Sequence, residues 1–153
     1  MTEIFIFEFQ VTWGDLDPIG HLRTAVYSDL AIDAQFKLLD RIGYSTVGLS
    51  ELEYGPVVLR QESRYYSEVR FGDSIVDSLS LAGLSQDGSR WIIRHDFVRS
   101  DGQKAAMLKV EGTWIDLQTR NAVVPPEDLI AANGRLPCAK NFQGLRSLVR
   151  KKQ

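Results

Sequence analysis

The sequence predicts an α+β domain in which a curved antiparallel five-stranded sheet wraps around one long central helix. Three observations support this prediction. The chain begins with an alternating, strand-like stretch, continues with one long helical period, and then has four strand-like stretches in meander order. Meandering strands form an antiparallel sheet, and one face of that sheet needs an apolar cover. The long helical stretch is the element that can provide it.

The first strand is predicted over residues 2–13, where side chains alternate between two faces. Ile4 and Ile6 lie on one face, so that face is expected to be partly covered. The opposite face carries five bulky apolar side chains and is expected to be buried; these are Phe5, Phe7, Phe9, Val11 and Trp13.

The helix is predicted over residues 24–42, where the apolar period changes to 3.6 residues. Thr24 is a suitable N-cap, and Gly43 suits the position that follows the last turn. The polar stripe is narrow, which predicts a helix wrapped by a sheet or by a partner subunit. One broad apolar face holds Tyr27, Leu30, Ala31, Ala34, Leu38 and Ile42, and a second apolar patch holds Ile32, Phe36 and Leu39.

Four further strands are predicted over residues 57–69, 74–84, 90–99 and 104–117. The second and third of these are joined by Ser-Gln-Asp-Gly, which indicates a hairpin. The third and fourth are joined by Ser-Asp-Gly-Gln. A short closing helix is predicted to begin near Pro125 and Pro126, because proline is favoured in a first helical turn.

Composition predicts one globular domain, over residues 1–134, with a basic C-terminal tail over residues 135–153. The chain has 153 residues, of which 44% are hydrophobic and 25% are charged. Its net charge is −2, yet the tail has six basic residues and no acidic one, so the first 134 residues carry about −8. Such a tail could meet RNA, an anionic ligand or the acidic body. A solvated tail that binds no nucleic acid is the expectation, because no RNA-binding motif is present.

The remaining composition points to a cytoplasmic protein without a metal. No apolar run approaches the roughly 20 residues that cross a bilayer, and the N-terminus does not resemble a signal peptide. The single cysteine, Cys138, allows no internal disulfide and no cysteine-based metal site. The two histidines, His21 and His95, are not arranged in a metal-binding pattern. We expect His95 to be a buried strand residue, because it alternates with apolar neighbours.

The stretch from Val11 to Thr24 joins the first strand to the helix and concentrates the chemistry of the chain. It contains two carboxylates, Asp15 and Asp17, together with Pro18 and His21. A loop of this kind delivers an acid to the start of a helix, where backbone N–H groups attract negative charge. Asp17 precedes a proline, so a plain turn residue is the competing interpretation.

Residues 13–22, Trp-Gly-Asp-Leu-Asp-Pro-Ile-Gly-His-Leu, followed by Tyr27, resemble the signature of hotdog-fold acyl-CoA thioesterases of the 4-hydroxybenzoyl-CoA thioesterase and YbgC-like group. Residues 66–75, 110–120 and 125–127 resemble later elements of that family, so the likeness covers about residues 5–130. Two departures are present. Leu-Arg-Thr at residues 22–24 stands where many relatives have Val-Asn-Asn, and the chain after Asn133 matches no familiar pattern.

The resemblance implies the hotdog fold and makes Asp17 the catalytic carboxylate. A carboxylate can activate water for attack on a thioester, or it can attack directly and form a mixed anhydride. The resemblance also implies that a backbone amide near Thr24 polarises the thioester carbonyl. Asp15 is the competing acid, and if the segment stayed extended it would share a face with Asp17.

Four further residues are candidates for the site. His21 could carry a proton, orient Asp17 or contact substrate. Tyr27 is either a core residue or a substrate contact. Arg64 and Arg70 are predicted to bind the phosphates of coenzyme A, which arginine suits; Arg60, Arg90 and Arg94 are further candidates on the strands.

The expected function is therefore hydrolysis of an acyl-CoA or acyl-carrier-protein thioester, with no cofactor apart from the coenzyme A of the substrate. Open sheet edges predict a homodimer or homotetramer, and the resemblance places the active site between subunits. Two alternatives remain open. One is an acyl-thioester binding module without catalysis, and the other is a hotdog hydratase or dehydratase.

Overall fold

The structure is a computed structural model that describes residues 5–44, 51 and 53–151. The chain forms strand β1 (Ile6–Gln10), a 3-10 turn (Trp13–Asp15) and helix α1 (Thr24–Arg41). The central strands follow as β2 (Tyr54–Tyr65), β3 (Ser74–Ser85), β4 (Arg90–Arg99) and β5 (Lys104–Asp116). Helix α2 (Glu127–Gly134) and strand β6 (Cys138–Leu145) complete the chain. The part of the predicted first strand at residues 2–4 lies outside the described residues.

The predicted α+β architecture is confirmed, with a sheet in the order β1-β3-β4-β5-β2. Each pair of neighbouring strands among these five is antiparallel. Strands β3, β4 and β5 follow one another as a meander, with β1 beside β3 and β2 beside β5. Helix α1 lies against the inner face of this sheet. On its buried side, Ala31 and Ala34 are fully inaccessible, and these small side chains allow the helix axis to approach the sheet closely.

The sheet has a sixth strand, so the predicted number of five is wrong. Strand β6 lies within the predicted tail and pairs in parallel with β3, with Cys138 opposite Leu81 and Gln143 opposite Gly83. Most side chains of β6 are exposed. The strand is therefore held by its backbone, and its residues lack the apolar alternation that marks a half-buried strand. Leu136, just before β6, is 1% exposed, so the tail segment also contributes to the core.

Both ends of α1 depart slightly from the prediction. The N-cap is Arg23, which makes no capping side-chain hydrogen bond, and Thr24 is the first helical residue. Gly43 has φ +96°, as expected for the residue that ends a helix. The second apolar patch stays at the surface, since Ile32 and Phe36 remain exposed.

Trp13 is also at the surface, contrary to the prediction that it continues the buried face of β1. Its side chain is 71% exposed. The strand alternation ends at Gln10 and the 3-10 turn begins at Trp13, so the period of two no longer decides where the ring points. The ring stacks instead on Phe71, with 3.8 Å between the ring centroids.

Three polar side chains connect α1 to the sheet, the buried Asp77 and His95 and the half-buried Gln35. Nδ1 of His95 lies 2.7 Å from Oδ2 of Asp77, and Nε2 of His95 lies 2.9 Å from Nε2 of Gln35 on α1. His95 and Asp77 are both inaccessible to solvent, which confirms His95 as a buried strand histidine. Burial raises the pKa of Asp77, although the hydrogen bond with His95 acts in the opposite direction.

Strand β2 is shifted toward the N-terminus relative to its prediction and forms one edge of the sheet. Its inner face includes Gln61, whose amide donates a hydrogen bond to Ser28 on α1. Two adjacent apolar side chains on this edge, Val58 and Leu59, are 51% and 48% exposed. No helix in the described part of the chain has the length and apolar character needed to span a bilayer.

Candidate active site

Hydrogen bonds to the side chain and the backbone of Asp15 stabilise the loop between β1 and α1. The carboxylate of Asp15 accepts hydrogen bonds from the backbone N–H and the hydroxyl of Thr12, both at 2.9 Å. Its carbonyl oxygen accepts a bond from the N–H of Arg23, also at 2.9 Å. Asp15 therefore sets the turn, and its carboxylate is already engaged with Thr12.

Asp17 is a turn residue and a cleft residue together. Its Oδ1 accepts hydrogen bonds from the N–H groups of Ile19 at 3.0 Å and His21 at 2.9 Å. Because both bonds go to Oδ1, they fix the orientation of the side chain, and neither of them occupies Oδ2. The competing interpretations of Asp17 as a turn former and as a functional acid are thus compatible.

Asp17 lines a cleft of about 320 Å³ at the N-terminal end of α1, here called the acid cleft. One wall comes from the loop and the first turns of α1, and the other from the end of β2 and the residues that follow it. The lining residues are Asp17, His21, Leu22, Thr24, Tyr27, Tyr65, Tyr66, Ser67, Glu68 and Val69. The structure therefore brings together Asp17, His21, Thr24 and Tyr27, which the sequence singled out.

The imidazole of His21 is held by an acid that the sequence did not indicate. Nε2 of His21 lies 3.1 Å from Oε2 of Glu68, and the Arg70 guanidinium donates to the same oxygen at 2.8 Å. The Arg70 hydrogen bond, followed by the charge of His21, lowers the pKa of Glu68 below its usual range. Arg70 thus lies beside the acid cleft and reaches it through Glu68.

The first turn of α1 borders this cleft, with Thr24 in the cleft wall. No side chain caps the helix, and no acidic residue occurs in its first turn. The N–H of Val26 bonds to the carbonyl of Arg23 at 3.0 Å, whereas the N–H groups of Thr24 and Ala25 make no backbone hydrogen bond within the described part of the chain. Such amides, at the positive end of a helix dipole, stabilise a developing oxyanion.

Tyr27 is mostly a core residue that also borders the cleft. It is 3% exposed, and its ring packs edge-on against Phe97 at 5.2 Å and tilted against Tyr65 at 5.5 Å. Burial, followed by the nearby Tyr65, raises the pKa of Tyr27 to about 12. Its hydroxyl therefore stays protonated at neutral pH and can only donate or accept a hydrogen bond there.

Arg64 lies apart from Asp17 within one chain. Its neighbours on β2 alternate, with Gln61 on the inner face, so Arg64 points to the outer face of the sheet, away from α1. Its Nε is 3.8 Å from Oε1 of Glu62. The structure does not bring Arg64 into the acid cleft, and its role in substrate binding stays a prediction.

A second, apolar groove runs beside the C-terminal half of α1, here called the apolar groove, with a volume of about 200 Å³. Its polar groups are few, and one of them, the buried indole N–H of Trp114, has no hydrogen-bond partner among the described residues. The walls are formed by Ile32, Gln35, Phe36, Leu38, Leu39, Pro56, Val58, Trp91, Ile93, Trp114 and Asn133. In the part of the chain that the structure describes, no group of three or more potential ligands could hold a metal ion.

Comparison with solved structures finds the same fold in several proteins. A hypothetical protein of Staphylococcus aureus, determined in complex with CoA, superposes with a TM-score of 0.80 at 22% identity, covering 92% of this chain and 90% of its own. A 1,4-dihydroxy-2-naphthoyl-CoA thioesterase from Synechocystis gives 0.78 at 16% identity, covering 86% and 96%. A gentisyl-coenzyme A thioesterase gives 0.74 at 20% identity, covering 84% and 98%.

A family model provides the stronger comparison, because it rests on sequence. The model of the thioesterase-like superfamily matches residues 11–133, from the start of the acid-bearing loop to the end of α2. This range includes the acid cleft and excludes β6. The predicted hotdog fold and thioesterase family are confirmed, while the assignment to the 4-hydroxybenzoyl-CoA thioesterase and YbgC-like group stays a prediction. With a sheet-wrapped helix, an acid at its start and a match across most of its length, the chain belongs to the thioesterase-like superfamily.

Proposed function

We propose that the protein hydrolyses an acyl-CoA or acyl-carrier-protein thioester, with Asp17 as the catalytic carboxylate. One observation carries the proposal: a carboxylate with its Oδ1 fixed by two backbone N–H groups lies in a cleft beside an uncapped helix N-terminus. Such a cleft presents a base and an oxyanion site to the same carbonyl group. These are the two requirements of thioester hydrolysis.

In the general-base route, Oδ2 of Asp17 takes a proton from a water molecule as that water attacks the thioester carbon. The carbonyl oxygen becomes negative and is held by the N–H groups at Thr24 and Ala25. Collapse of the tetrahedral intermediate breaks the C–S bond, and the departing thiolate takes up the proton. In the nucleophilic route, Oδ2 attacks the carbon itself, the C–S bond breaks and the thiolate leaves and takes up a proton. Water then hydrolyses the resulting mixed anhydride, which releases the acyl group as a carboxylic acid and restores Asp17.

His21 supports this chemistry through its backbone and its side chain. Its N–H fixes Oδ1 of Asp17, and its carbonyl oxygen accepts a bond from the N–H of Asp17 at 2.7 Å. The imidazole, bonded to Glu68, borders the cleft where the leaving thiolate would sit. We therefore assign His21 as a positioning residue and a proton carrier beside the leaving group.

We further propose that the enzyme works as a homodimer joined at β2. This edge strand has twelve residues and exposes Val58 and Leu59, and a long apolar edge tends to pair with another strand. Two identical edges related by a two-fold axis pair antiparallel. The Pro56 end of one β2 would then lie beside the Tyr65 end of the other, and the apolar groove of one subunit would adjoin the acid cleft of its partner.

The distance along α1 supports this arrangement. Phe36 in the groove is twelve residues from Thr24, which corresponds to about 18 Å along a helix. A short acyl group bound at Asp17 does not reach the groove of its own subunit. The partner's groove, brought alongside by antiparallel pairing, is the nearer site for the acyl group, and a dimer of dimers is compatible with it.

The catalytic assignment is tested with Asp17→Asn. Asparagine keeps the Oδ1 acceptor that folds the turn and replaces only the free carboxylate oxygen, so the loop is expected to keep its shape. Hydrolysis of a panel of acyl-CoAs is expected to fall roughly 10²- to 10⁴-fold in kcat. The exposed Asp29→Asn on α1 is the matched control and is expected to keep full activity.

Two outcomes would contradict this function. Wild-type protein that binds acyl-CoA and hydrolyses none of the panel would indicate a binding module. Hydration of crotonyl-CoA without hydrolysis would indicate a hydratase. A single turnover in H₂¹⁸O identifies the nucleophilic route when the label appears in the carboxylate of Asp17, because water enters that carboxylate only by attack on the Asp17 carbon of the anhydride. The single cysteine is an exposed free thiol, which is consistent with our proposal of a reducing cytoplasm.

A further inference from the structure

The outer face of the sheet carries a second polar cleft, which we call the tail cleft because β6 forms one of its walls. Its volume is about 400 Å³, and it lies between β4, the start of β5 and the first residues of β6. The side chains that matter here are Tyr66, Ser80, Arg94, Lys104, Cys138 and Lys140. Because Tyr66 also lines the acid cleft, the two clefts meet at this one residue.

The tail cleft is positively charged although the protein as a whole has a net charge of −2. Three cations line it, opposed by the single carboxylate of Asp96. Asp96 is engaged with Arg94, at 3.0 Å from Oδ2 to Nε. No salt bridge joins Lys104 or Lys140 to a carboxylate among the described residues. Two lysines are therefore free to meet an anion.

Ser80 adds a hydrogen-bonding group to this charge. Its hydroxyl oxygen is buried and has no hydrogen-bond partner within the described part of the chain. Buried polar atoms are nearly always paired, so this hydroxyl at the border of a cationic cleft is a group that a ligand oxygen would satisfy. Hydroxyls and ammonium groups together favour a phosphate.

We propose that the tail cleft binds the phosphate-bearing nucleotide end of coenzyme A, with Lys104 and Lys140 as the phosphate contacts. The thioester end would lie in the acid cleft, and the chain between them would pass Tyr66. This orientation rests on the proposed function. A carrier-protein thioester has no nucleotide to fill the tail cleft, so the site assigns CoA, not a carrier protein, as the substrate class.

Cys138 reports directly on occupancy of the tail cleft, because it is the single cysteine of the chain. Alkylation of Cys138 by iodoacetamide is followed by mass spectrometry with and without adenosine 3′,5′-bisphosphate, which carries no thiol. The bisphosphate is expected to slow labelling at least several-fold. Unchanged labelling, or equal slowing by the same concentration of sodium sulfate, would overturn the proposal.

Binding of CoA itself is measured by titration calorimetry on Lys104→Gln and Lys140→Gln. Each variant is expected to weaken CoA binding by roughly five- to tenfold, as loss of one charge-assisted hydrogen bond predicts. The matched control is Lys109→Gln, on the same strand but in a neighbouring cleft, and it is expected to change the affinity less than twofold. Equal weakening by Lys109→Gln would show general electrostatics and would overturn the site.

A nucleotide-free substrate separates this proposal from the catalytic one. Both lysine variants are expected to hydrolyse N-acetylcysteamine thioesters at the wild-type rate while their KM for acyl-CoA rises. If no thioester is hydrolysed by wild-type protein, the catalytic proposal fails, yet Cys138 protection and CoA affinity still test the tail cleft. A loss of N-acetylcysteamine thioester hydrolysis in either variant would contradict a role confined to the nucleotide.

Discussion

Asp87, in the turn between β3 and β4, ties the C-terminal segment to the sheet. Its Oδ1 accepts hydrogen bonds from the hydroxyls of Ser85 and Ser89, both at 2.7 Å, and from the N–H of Ser89 at 3.0 Å. Its Oδ2 accepts a bond from the hydroxyl of Ser147, which follows β6. The carboxylate therefore links a hairpin turn with a residue 60 positions away.

The magnitude follows from the pKa of Asp87. Partial burial raises it, but the bonds from Ser147, Ser89 and Ser85 together outweigh burial and lower the pKa from 3.8 to about 2. A shift of this size corresponds to at most about 2 kcal/mol of folding free energy, because solvent screens a half-buried carboxylate. Because the folded pKa is lowered, this stabilisation is present above pH 4 and is lost as the pH falls toward 2.

A double-mutant cycle measures the link. Asp87→Ala is expected to lower the free energy of unfolding at pH 7 by about 2 kcal/mol, and Ser147→Ala by about 1 kcal/mol. Urea titrations of the two single variants and the double variant are expected to give a coupling energy of about 1 kcal/mol. The effect of Asp87→Ala is expected to shrink between pH 4 and pH 2.

The other hairpin provides the control. Asp101 accepts bonds from Arg99 and from the N–H of Gln103 in the turn between β4 and β5. Asp101→Ala and Ser147→Ala are therefore expected to be additive within about 0.5 kcal/mol. A coupling between Asp87 and Ser147 no larger than this control value would refute the link between turn and tail.

Three further predictions concern the core, the acid cleft and the sheet edge. Gly112→Ala is expected to cost several kcal/mol in urea unfolding, because a Cβ there would lie 2.4 Å from the Trp91 ring; a cost below about 1 kcal/mol would contradict this packing. Arg70→Gln is expected to raise the pKa of Glu68 toward 4.5 in a carboxyl NMR titration, because the Arg70 hydrogen bond is the main cause of its lowering; an unmoved pKa would exclude the contact. Val58→Lys is expected to weaken the proposed dimer at β2, seen as a shift toward monomer in sedimentation velocity, and an unchanged molecular mass would place the interface elsewhere.

The elements with the most regular hydrophobic periodicity, β4 and α1, are predicted correctly. Strand β4 has the predicted bounds of residues 90–99, and α1 ends within one residue of its prediction, because both sequences keep one period throughout. The prediction failed where the periodicity of the sequence and the path of the backbone part, at Trp13. Trp13 continues the alternation of β1 in sequence, but the chain turns at that residue, and no pattern of side chains records a change of backbone direction.

Strand β6 shows a different limit of sequence reasoning. Its side chains are mostly exposed and polar, and it is held through backbone bonds to β3. Propensity and alternation report burial of side chains, so a strand without a buried face leaves little signal. The basic charge of this segment is visible in the sequence, while its pairing with β3 at the edge of the sheet is not.

Within the candidate site, local contacts were predictable and distant ones were not. Asp17, His21 and Thr24 lie within eight positions of one another, so a single loop was enough to group them. Glu68 contacts His21 across 47 positions, and its surroundings in sequence did not indicate a partner. Arg64 was proposed on charge alone, whereas the strand alternation that sends it to the outer face depends on knowing which face of β2 meets α1.

Strands β1 and β6 pair with successive parts of the same edge of β3. This shared edge of the sheet limits how copies of the protein can assemble. Strand β1 covers Ser74–Ser78 of β3, and β6, running in the opposite direction to β1, pairs from Leu81 to Ser85. That margin is thus broken into two short pieces of opposite polarity, unsuited to a long continuous ladder. In the described part of the chain, β2 is the long uninterrupted margin, and a molecule with one such margin forms a closed pair and does not grow into a fibre.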